Sequence, residues 1–498
     1  MANAVTVQAP PDFKTVLGHP RPLWMLFMTE FWERFCYYGM RWALTLYIVA
    51  AFFGGDPSGE KAASTTYGGF TALVYATGVL GGYAADKILG FQRAVMLGAL
   101  IIAAGLFTVL VKDQTVFLIG LSLIIVGNGL FKPNISTMVG GLYKQGDDRR
   151  DRGFTIFYMG INAGAFFAPL ITGWAANSLF GGTPEHPNYA VVFATAGVGM
   201  VLGLLWFGIG RRQLLGVGAP PKGKEGLGSF AVVILGAAVL LPVIYFLMRQ
   251  NKILDYILWA LFIVCAGMLI RVGVKSDKVQ LDRIKALLIL LTANILFWMF
   301  FEQAGSSFNF LAEKVVDRRM LGSVFPIGWF QSVNPAAIVL LAPLMTAVWL
   351  WTSKRNVEPS IPRKFGLGLI GNALGFLVLM WALKSMVNAE NLIPFWPLAL
   401  CYVFQTIGEL CLSPIGLSMV TKLAPPHMVG ATMGAWFVSI SLGNKLAGNL
   451  AASISGKEGL TIASAQSGFT LSFWLLIGVG VLLFLIAPII NRFMHGVK

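Results

Sequence analysis

The chain has 498 residues, of which 12% are charged and 56% are hydrophobic, and its mean hydropathy is +0.73. Soluble domains carry about 25% charged residues, so this composition excludes a soluble or disordered protein and indicates a polytopic membrane protein. The formal net charge of +15 does not indicate a nucleic-acid partner, because the basic residues lie mostly in loops between apolar segments.

Fourteen apolar segments are each long enough to cross a bilayer, which requires about 20 residues. They form a group of six, a pair and a second group of six. The first six are predicted at 23–53, 66–89, 94–111, 115–142, 153–178 and 189–210. The pair is predicted at 229–248 and 254–271, and the last six at 284–312, 323–352, 365–387, 392–421, 427–455 and 468–491.

This grouping predicts an all-α membrane protein in four parts. A polar tail at 1–22, without the apolar core of a signal peptide, precedes a six-helix bundle at 23–210. A linker with an inserted transmembrane hairpin follows at 211–283, and a second six-helix bundle with a short tail occupies 284–498. The hairpin contains little that is polar away from its ends, so we expect it to face lipid without a role in substrate binding.

The basic residues of the loops predict the orientation in the membrane. Alternate connections, taken from the first tail onward, contain 24 Lys and Arg, whereas the opposite connections contain nine. Because basic loops stay in the cytoplasm, both termini are expected to be cytoplasmic. Thirty-three of the 37 basic residues thus lie in loops, where they are explained by the orientation in the membrane. The expected partner of the protein is therefore the lipid bilayer.

Ionisable residues inside the spans are the main functional signal. After the loops are subtracted we count eight: Glu30, Glu33, Arg34, Arg41, Lys132, Glu302, Glu409 and Lys445. A charge at the bilayer centre costs about 2.5–3.5 kcal/mol on insertion scales, so such residues pair or face water. Fixed ion pairs that only hold helices together remain an alternative, above all for Lys445.

The first span places its polar residues on one helical face. The stripe repeats over three turns and consists of Glu30, Glu33, Arg34, Tyr37, Tyr38 and Arg41. This spacing follows the period of an α-helix, and charges that faced outward would meet lipid. We therefore expect the stripe to line an aqueous cavity. A Glu beside an Arg that can exchange one ion-pair partner for another is a plausible proton switch there.

Polar residues recur at intervals of four in the second group of six. They are Asn294, Trp298 and Glu302 in one span, and Gln405, Glu409 and Ser413 in another. In the first group, Lys132 and Asn162 lie near the middle of their spans. Asn334-Pro335 and Ser413-Pro414 are expected to break their helices, because proline removes a backbone donor.

Cofactor and metal chemistry has little support in the sequence. The four cysteines lie in apolar runs, where they resemble small core residues, and the four histidines are scattered through loops and tails. The sequence has no HExxH, and no predicted span contains a pair of aspartates. We therefore expect no cofactor, metal site or enzymatic activity.

The segment GYAADKILGFQR at 82–93 resembles the GxxxDKxGxxR loop of the major facilitator superfamily. The resemblance implies a cytoplasmic gate, formed by residues that match the pattern: Gly82, Asp86, Lys87, Gly90 and Arg93. The last basic pair of that pattern is reduced to Arg93 here.

A more specific resemblance starts with EFWERFCYYG at 30–39, which is similar to the ExxERFxYYG signature of the proton-dependent oligopeptide transporter family. FYMGINAG at 157–164 is similar to its FYxxINxG pattern. SVNP at 332–335 and GELCLSPIG at 408–416 extend the resemblance over nearly the whole chain, and the inserted hairpin resembles bacterial members. The implied fold is the major facilitator fold, in the bacterial inner membrane.

The resemblance implies roles for single residues. Glu30, Glu33 and Arg34 match the proton-coupling motif, and Arg41 with Glu302 matches a gating and coupling pair. The implied peptide-binding residues are Arg34, Tyr37, Tyr38, Arg41, Tyr75, Lys132, Asn162, Trp298, Glu302, Asn334, Glu409, Ser413 and Trp436. Among these, Lys132 matches the contact to the peptide carboxylate, and Glu409 with Asn162 and Asn334 matches the contact to the peptide amino group.

The implied activity is proton-coupled import of di- and tripeptides by alternating access, which needs no cofactor beyond the proton gradient. Basic groups in the first bundle and acidic groups in the second fit the two ends of a zwitterion. The alternatives are a carrier of another small anion or metabolite, such as a nitrate-type relative, and more distantly a channel or an intramembrane enzyme. Nothing in the sequence requires more than a monomer.

Overall fold

The computed structural model describes residues 11–144, 146–320 and 322–497, and these residues are mainly helical. The helices are α1 Arg21–Phe52, α2 Glu60–Ala76, α3 Gly78–Ala84, α4 Phe91–Thr108, α5 Gln114–Gly140, α6 Arg149–Ser178, α7 Tyr189–Gly210, α8 Leu227–Arg249, α9 Asn251–Lys275, α10 Lys278–Phe301, α11 Ser307–Lys314, α12 Val333–Lys354, α13 Ile361–Ser385, α14 Trp396–Leu423, α15 Val429–Ser455 and α16 Ile462–Met494. Two antiparallel hairpins of two-residue strands pair β1 Thr15–Val16 with β2 His19–Pro20, and β3 Arg319–Met320 with β4 Ser323–Val324.

The helical segments correspond in chain order to the fourteen predicted spans. Eleven of the described segments are long and apolar enough to cross a membrane. The other three correspond to the spans that α1, α2 with α3, and α15 occupy. The first contains the polar stripe and the second is interrupted at Thr77.

Helix packing divides the structure into two bundles, as predicted. In the first, α1 packs against α6 and α7, and α4 packs against α5 and α7. In the second, α13 packs against α14 and α16, and α10 packs against α15 and α16. The bundles meet where α2 packs along α15 and where α6 contacts α12.

The two ends of the molecule differ in the loops that they carry. His19, just before α1, bonds to Tyr143 after α5 at 2.9 Å, and His495, after α16, lies 3.1 Å from Asp282 at the start of α10. We call this the near end, because the first and last described residues of the chain lie toward it, and the opposite end the far end.

The segment predicted as an inserted hairpin contains two helices, α8 and α9, with the single residue Gln250 between them. Most side chains of both helices are exposed on the isolated protein, as expected for a surface that meets lipid. However, α8 contacts α2 and α5 of the first bundle, and α9 contacts α10 and α15 of the second.

Two proline predictions are wrong. The α12 helix begins at Val333, so Pro335 lies in its first turn, where the backbone N–H groups have no helical acceptor in any case. The α14 helix continues through Pro414.

The predicted helix at 323–352 is also shorter, because residues 323–324 form β4 and Ile327–Ser332 form a 3₁₀ turn. The predicted span at 284–312 is interrupted, because Glu302–Gly305 form a 3₁₀ turn between α10 and α11.

Candidate functional site

The α1 stripe forms a buried charge network inside the first bundle. The guanidinium of Arg34 bonds to both carboxylate oxygens of Glu33 and lies 3.3 Å from Glu30. Asn128 of α5 donates to Glu33 Oε1 at 2.8 Å. All four residues are buried, and the second oxygen of Glu30 has no hydrogen-bond partner among the described residues. One arginine thus bridges two glutamates.

The Lys132 ammonium lies beside this network without an ion pair to it. Its Nζ stands 4.2 Å from the centroid of the Tyr75 ring, a cation–π contact. The guanidinium of Arg34 lies 5.1 Å and 6.0 Å from the rings of Tyr37 and Tyr38. Both cations therefore lie against aromatic faces, but Arg34 is paired with glutamates, whereas Lys132 has no ion pair among the described residues.

Arg41, three turns along α1, joins the two bundles. Its Nη2 donates to Glu302 Oε2 at 2.9 Å, and its Nε donates to the hydroxyl of Tyr67 at 2.7 Å. The Tyr67 hydroxyl in turn donates to Glu302 at 2.9 Å. The predicted pair is thus present, but it is a triad whose third member, Tyr67, was not predicted.

The acidic site of the second bundle is centred on Glu409 of α14. Asn334 of α12 donates to Glu409 at 3.0 Å and to Thr406 at 2.8 Å. On α10, Trp298 donates to Asn294 at 3.1 Å, and Asn294 donates to Ser439 at 2.8 Å. Neither carboxylate oxygen of Glu409 has a basic partner among the described residues, in contrast to Glu302.

A small cavity lies between the bundles. Tyr38 and Arg41 line it from α1, and Asn334 and Gln405 line it from α12 and α14. Glu302 is bonded to Arg41 and Glu409 to Asn334. The structure therefore places one basic residue, Arg41, on this cavity, and the two glutamates are each bonded to a residue that lines it.

Three predicted residues lie outside this immediate cluster. Trp436 is buried, with its indole in the space left by the missing side chain of Gly416. Asn162 donates to the backbone carbonyl of Tyr158, one turn earlier on α6, at 2.9 Å. Ser413 is partly exposed, one turn from Glu409 toward the near end.

The far end is closed by contacts between the bundles. Glu60, at the start of α2, is fully buried, pairs with Lys314 at the end of α11 and accepts a bond from the backbone N–H of Leu460 at 2.8 Å. Farther along α2, a Cβ on Gly68 would lie 2.8 Å from Gly448 Cα of α15, so the two backbones are in direct contact. At the near end, by contrast, Tyr158 of α6 and Leu417 of α14 are exposed.

The predicted gate residues lie at this near end, and they contact the linker. Gly90 has a φ of +79°, and a Cβ there would lie 2.6 Å from Pro220 N. Glycine is therefore required both by the backbone conformation and by the close approach of the linker. Arg93 donates to the backbone carbonyls of Lys224 and Glu225 at 3.4 and 2.6 Å. Asp86 pairs with its exposed neighbour Lys87 at 2.8 Å, and Gly82 is partly exposed.

The sequence-based interpretation missed several partners. Asn128 precedes Lys132 by one helical turn, a spacing that could have identified it. The list of eight ionisable residues also leaves out Asp255, because it lies at the end of its predicted span. Asp255 lies 3.4 Å from Lys445 Nζ, so the hairpin supplies the counter-charge for Lys445.

Comparison with known proteins agrees with this geometry. A family model described as the POT family matches residues 92–458. The chain is 36% identical to the peptide transporter YePEPT of Yersinia enterocolitica, over 98% of both chains. It is 32% identical to the dipeptide and tripeptide permease B of Photorhabdus asymbiotica, over 97% of this chain and 98% of that one.

The fold is similar to that of a crystal structure of the peptide transporter POT in complex with sulfate. The TM-score is 0.83 at 35% identity, and the match covers 98% of this chain and 99% of that one. This likeness confirms the predicted major facilitator fold, and the names of the relatives confirm a transporter rather than an enzyme. Because the family model spans most of the sequence and the relatives match along its whole length, the chain belongs to the POT family of multi-pass membrane proteins.

Proposed function

We propose that this protein is a proton-coupled symporter that imports di- and tripeptides across a bacterial inner membrane by alternating access. The observation that carries the proposal is the small cavity where Arg41 and Tyr38 of one bundle face Asn334 and Gln405 of the other. A binding site near the midplane, between two bundles, is typical of carriers that rock between two conformations. The names of the peptide-transporting relatives support the substrate class.

The peptide carboxylate is proposed to bind to the basic groups of the first bundle. Arg34 and Lys132 are held against the rings of Tyr37, Tyr38 and Tyr75, and Lys132 has no ion pair among the described residues. A substrate carboxylate would supply the missing counter-charge. This arrangement also explains why a lysine is tolerated at this depth.

The peptide amino group is proposed to bind to Glu409 with Asn334 and Asn162. Glu409 has no basic partner among the described residues, and Asn334 orients its carboxylate. An ammonium group between them would complete a buried ion pair. Trp298, Ser413 and Trp436 are proposed to line the pockets for the peptide side chains, whose variety requires mainly apolar walls.

Proton coupling is proposed to use the Arg34 bridge. While Arg34 holds Glu33 and contacts Glu30, both carboxylates share one cation. A proton on one glutamate would release Arg34 toward the other, or toward the peptide carboxylate. Binding of substrate and proton would thus be linked through a single guanidinium.

The orientation follows from the loops. We propose that the near end is cytoplasmic, because the basic residues concentrate there, and that Arg41 with Glu302 and Glu60 with Lys314 form the external gate. The boundaries proposed for the bundles are 23–210 and 284–498, with the linker and hairpin at 211–283. When the near end closes, Asp86 would be available to latch it.

Uptake of radiolabelled dialanine into proteoliposomes under an inward proton gradient tests the proposal directly. We expect concentrative uptake that collapses with a protonophore and is blocked by excess unlabelled dipeptide. Because the whole site lies within one chain, we expect the same rate per protein in vesicles that hold a single copy. Uptake of nitrate or another small anion, without uptake of dialanine, would instead indicate the anion carrier.

A further inference from the structure

Lys445 of α15 is held by a polar network that includes the inserted hairpin. Its side chain is fully buried, and its Nζ lies 3.4 Å from Asp255 of α9. It also donates to Asn449, one turn along α15, at 2.9 Å. Asn449 donates to the same carboxylate of Asp255 at 3.0 Å. The triangle of contacts joins α9 to the second bundle.

The same turn of the hairpin packs on the first bundle through side chains that lie close to the backbone of α2. A Cβ on Gly69 of α2 would lie 3.4 Å from Asn251 Oδ1, 3.5 Å from Leu254 Cδ2 and 3.6 Å from Met248 Sδ. Asp255 follows Leu254 directly, so neighbouring residues of α9 contact α15 and α2. The hairpin therefore lies across both bundles at this level.

This level coincides with the direct contact between α2 and α15. A Cβ on Gly68 would lie 2.8 Å from Gly448 Cα and 3.1 Å from the carbonyl oxygen of Lys445. The backbone of Lys445 thus contacts α2 while its side chain binds α9. Opening at the far end requires α2 to leave α15, and the hairpin cannot then keep both contacts unchanged.

We propose that Asp255, Lys445 and Asn449 fasten the hairpin to α15 so that it braces the α2–α15 contact and stabilises the conformation closed at the far end. This inference rests on the proposed alternating access, and the three residues act as positioning residues that do not touch the peptide. The ion pair of the fully buried Lys445 with Asp255 is harder to break than the van der Waals contacts at Gly69.

Distance measurement between spin labels tests this inference. Labels at Lys61→Cys and Lys457→Cys, both exposed at the far end, would report the separation of α2 from α15 in lipid nanodiscs without peptide. The four native cysteines are replaced beforehand. The main variant is the double substitution Asp255→Leu with Lys445→Leu, which removes the network without leaving a buried charge unpaired.

We expect the double-leucine variant to shift the distance distribution toward the longer, open-state separation. The single variant Asp255→Asn leaves Lys445 without a counter-charge and should shift the distribution in the same direction. The charge exchange Asp255→Lys with Lys445→Asp should restore the wild-type distribution. Tyr256→Phe is the matched control, because Tyr256 adjoins Asp255 and is 73% exposed. It should leave the distribution unchanged.

Unchanged distances in a folded double-leucine variant would overturn the inference, whatever happens to uptake. If Asp255→Asn does not fold, the double-leucine variant alone decides the question. Because the distances are measured without substrate, failure of the wild-type protein to take up dialanine would reject the proposed function and leave the distance result standing.

Discussion

Replacement of Glu302 by Gln should favour opening at the far end by roughly a hundredfold. In the closed structure, Arg41 is 6% exposed, and Glu302 is the only carboxylate that it pairs with among the described residues. Removal of one partner of a buried pair costs about 3–5 kcal/mol. We use the lower value because Tyr67 still accepts a bond from Arg41, at 2.7 Å. Since about 1.4 kcal/mol corresponds to a factor of ten, the equilibrium constant for opening rises by about a hundredfold.

Alkylation of a buried cysteine measures this shift. Ser306 is fully buried and follows the Glu302–Gly305 turn, so Ser306→Cys should react with a maleimide only when the far end opens. The reaction rate then reports the open fraction, until that fraction approaches one. Glu390→Gln is the control, because Glu390 pairs with Arg319 at the surface, where both side chains are 59% exposed and the pair contributes about 0–1 kcal/mol.

The alkylation rate should rise strongly with Glu302→Gln and hardly at all with Glu390→Gln. If Glu302→Gln lowers the melting temperature but leaves the alkylation rate within a factor of about three, which corresponds to less than 1 kcal/mol, the triad stabilises both conformations equally. The ion pair would then hold the helices together without acting as a gate.

Glu33→Gln should abolish uptake driven by a pH gradient but keep some counterflow exchange, which needs no net proton movement; normal concentrative uptake would remove Glu33 from the coupling mechanism. A folded Lys132→Ala variant should lose the preference for dialanine over dialanine amide, and Glu409→Gln the preference for a free over an acetylated amino terminus. If both keep wild-type discrimination in competition assays, the ends of the peptide are bound elsewhere. A reporter fused at residue 498 should report the cytoplasm and one at residue 185 the outside, and a cytoplasmic signal at 185 would overturn the orientation.

The polar stripe on α1 was predictable because it depends only on residues that are neighbours along one helix. Helical periodicity places Glu33, Arg34 and Arg41 on one face, and the cost of a charge in lipid requires that they find partners or water. The identity of those partners is less local. Tyr67 belongs to another helix, and nothing in its sequence neighbourhood marks it as a ligand of Arg41.

Residues near the ends of helices were the hardest to interpret. Glu60 and Lys314 resemble ordinary loop charges in the sequence, and only the packing of α2 against the second bundle makes Glu60 fully buried. Asp255 was overlooked for the same reason. The effect of proline also depends on its place in the helix, since Pro335 lies in a first turn that needs no donor.

The α2–α15 crossing has a consequence for how such a transporter can vary. Where Gly68 meets Gly448, the helices touch through bare backbone, so one added methyl group would act as a wedge between them. Such a wedge would adjoin Tyr67, which bonds to Arg41 and Glu302. We therefore expect a single carbon atom to shift the balance between the two conformations, and an alanine at Gly68 offers a means of trapping the opposite conformation for structural work.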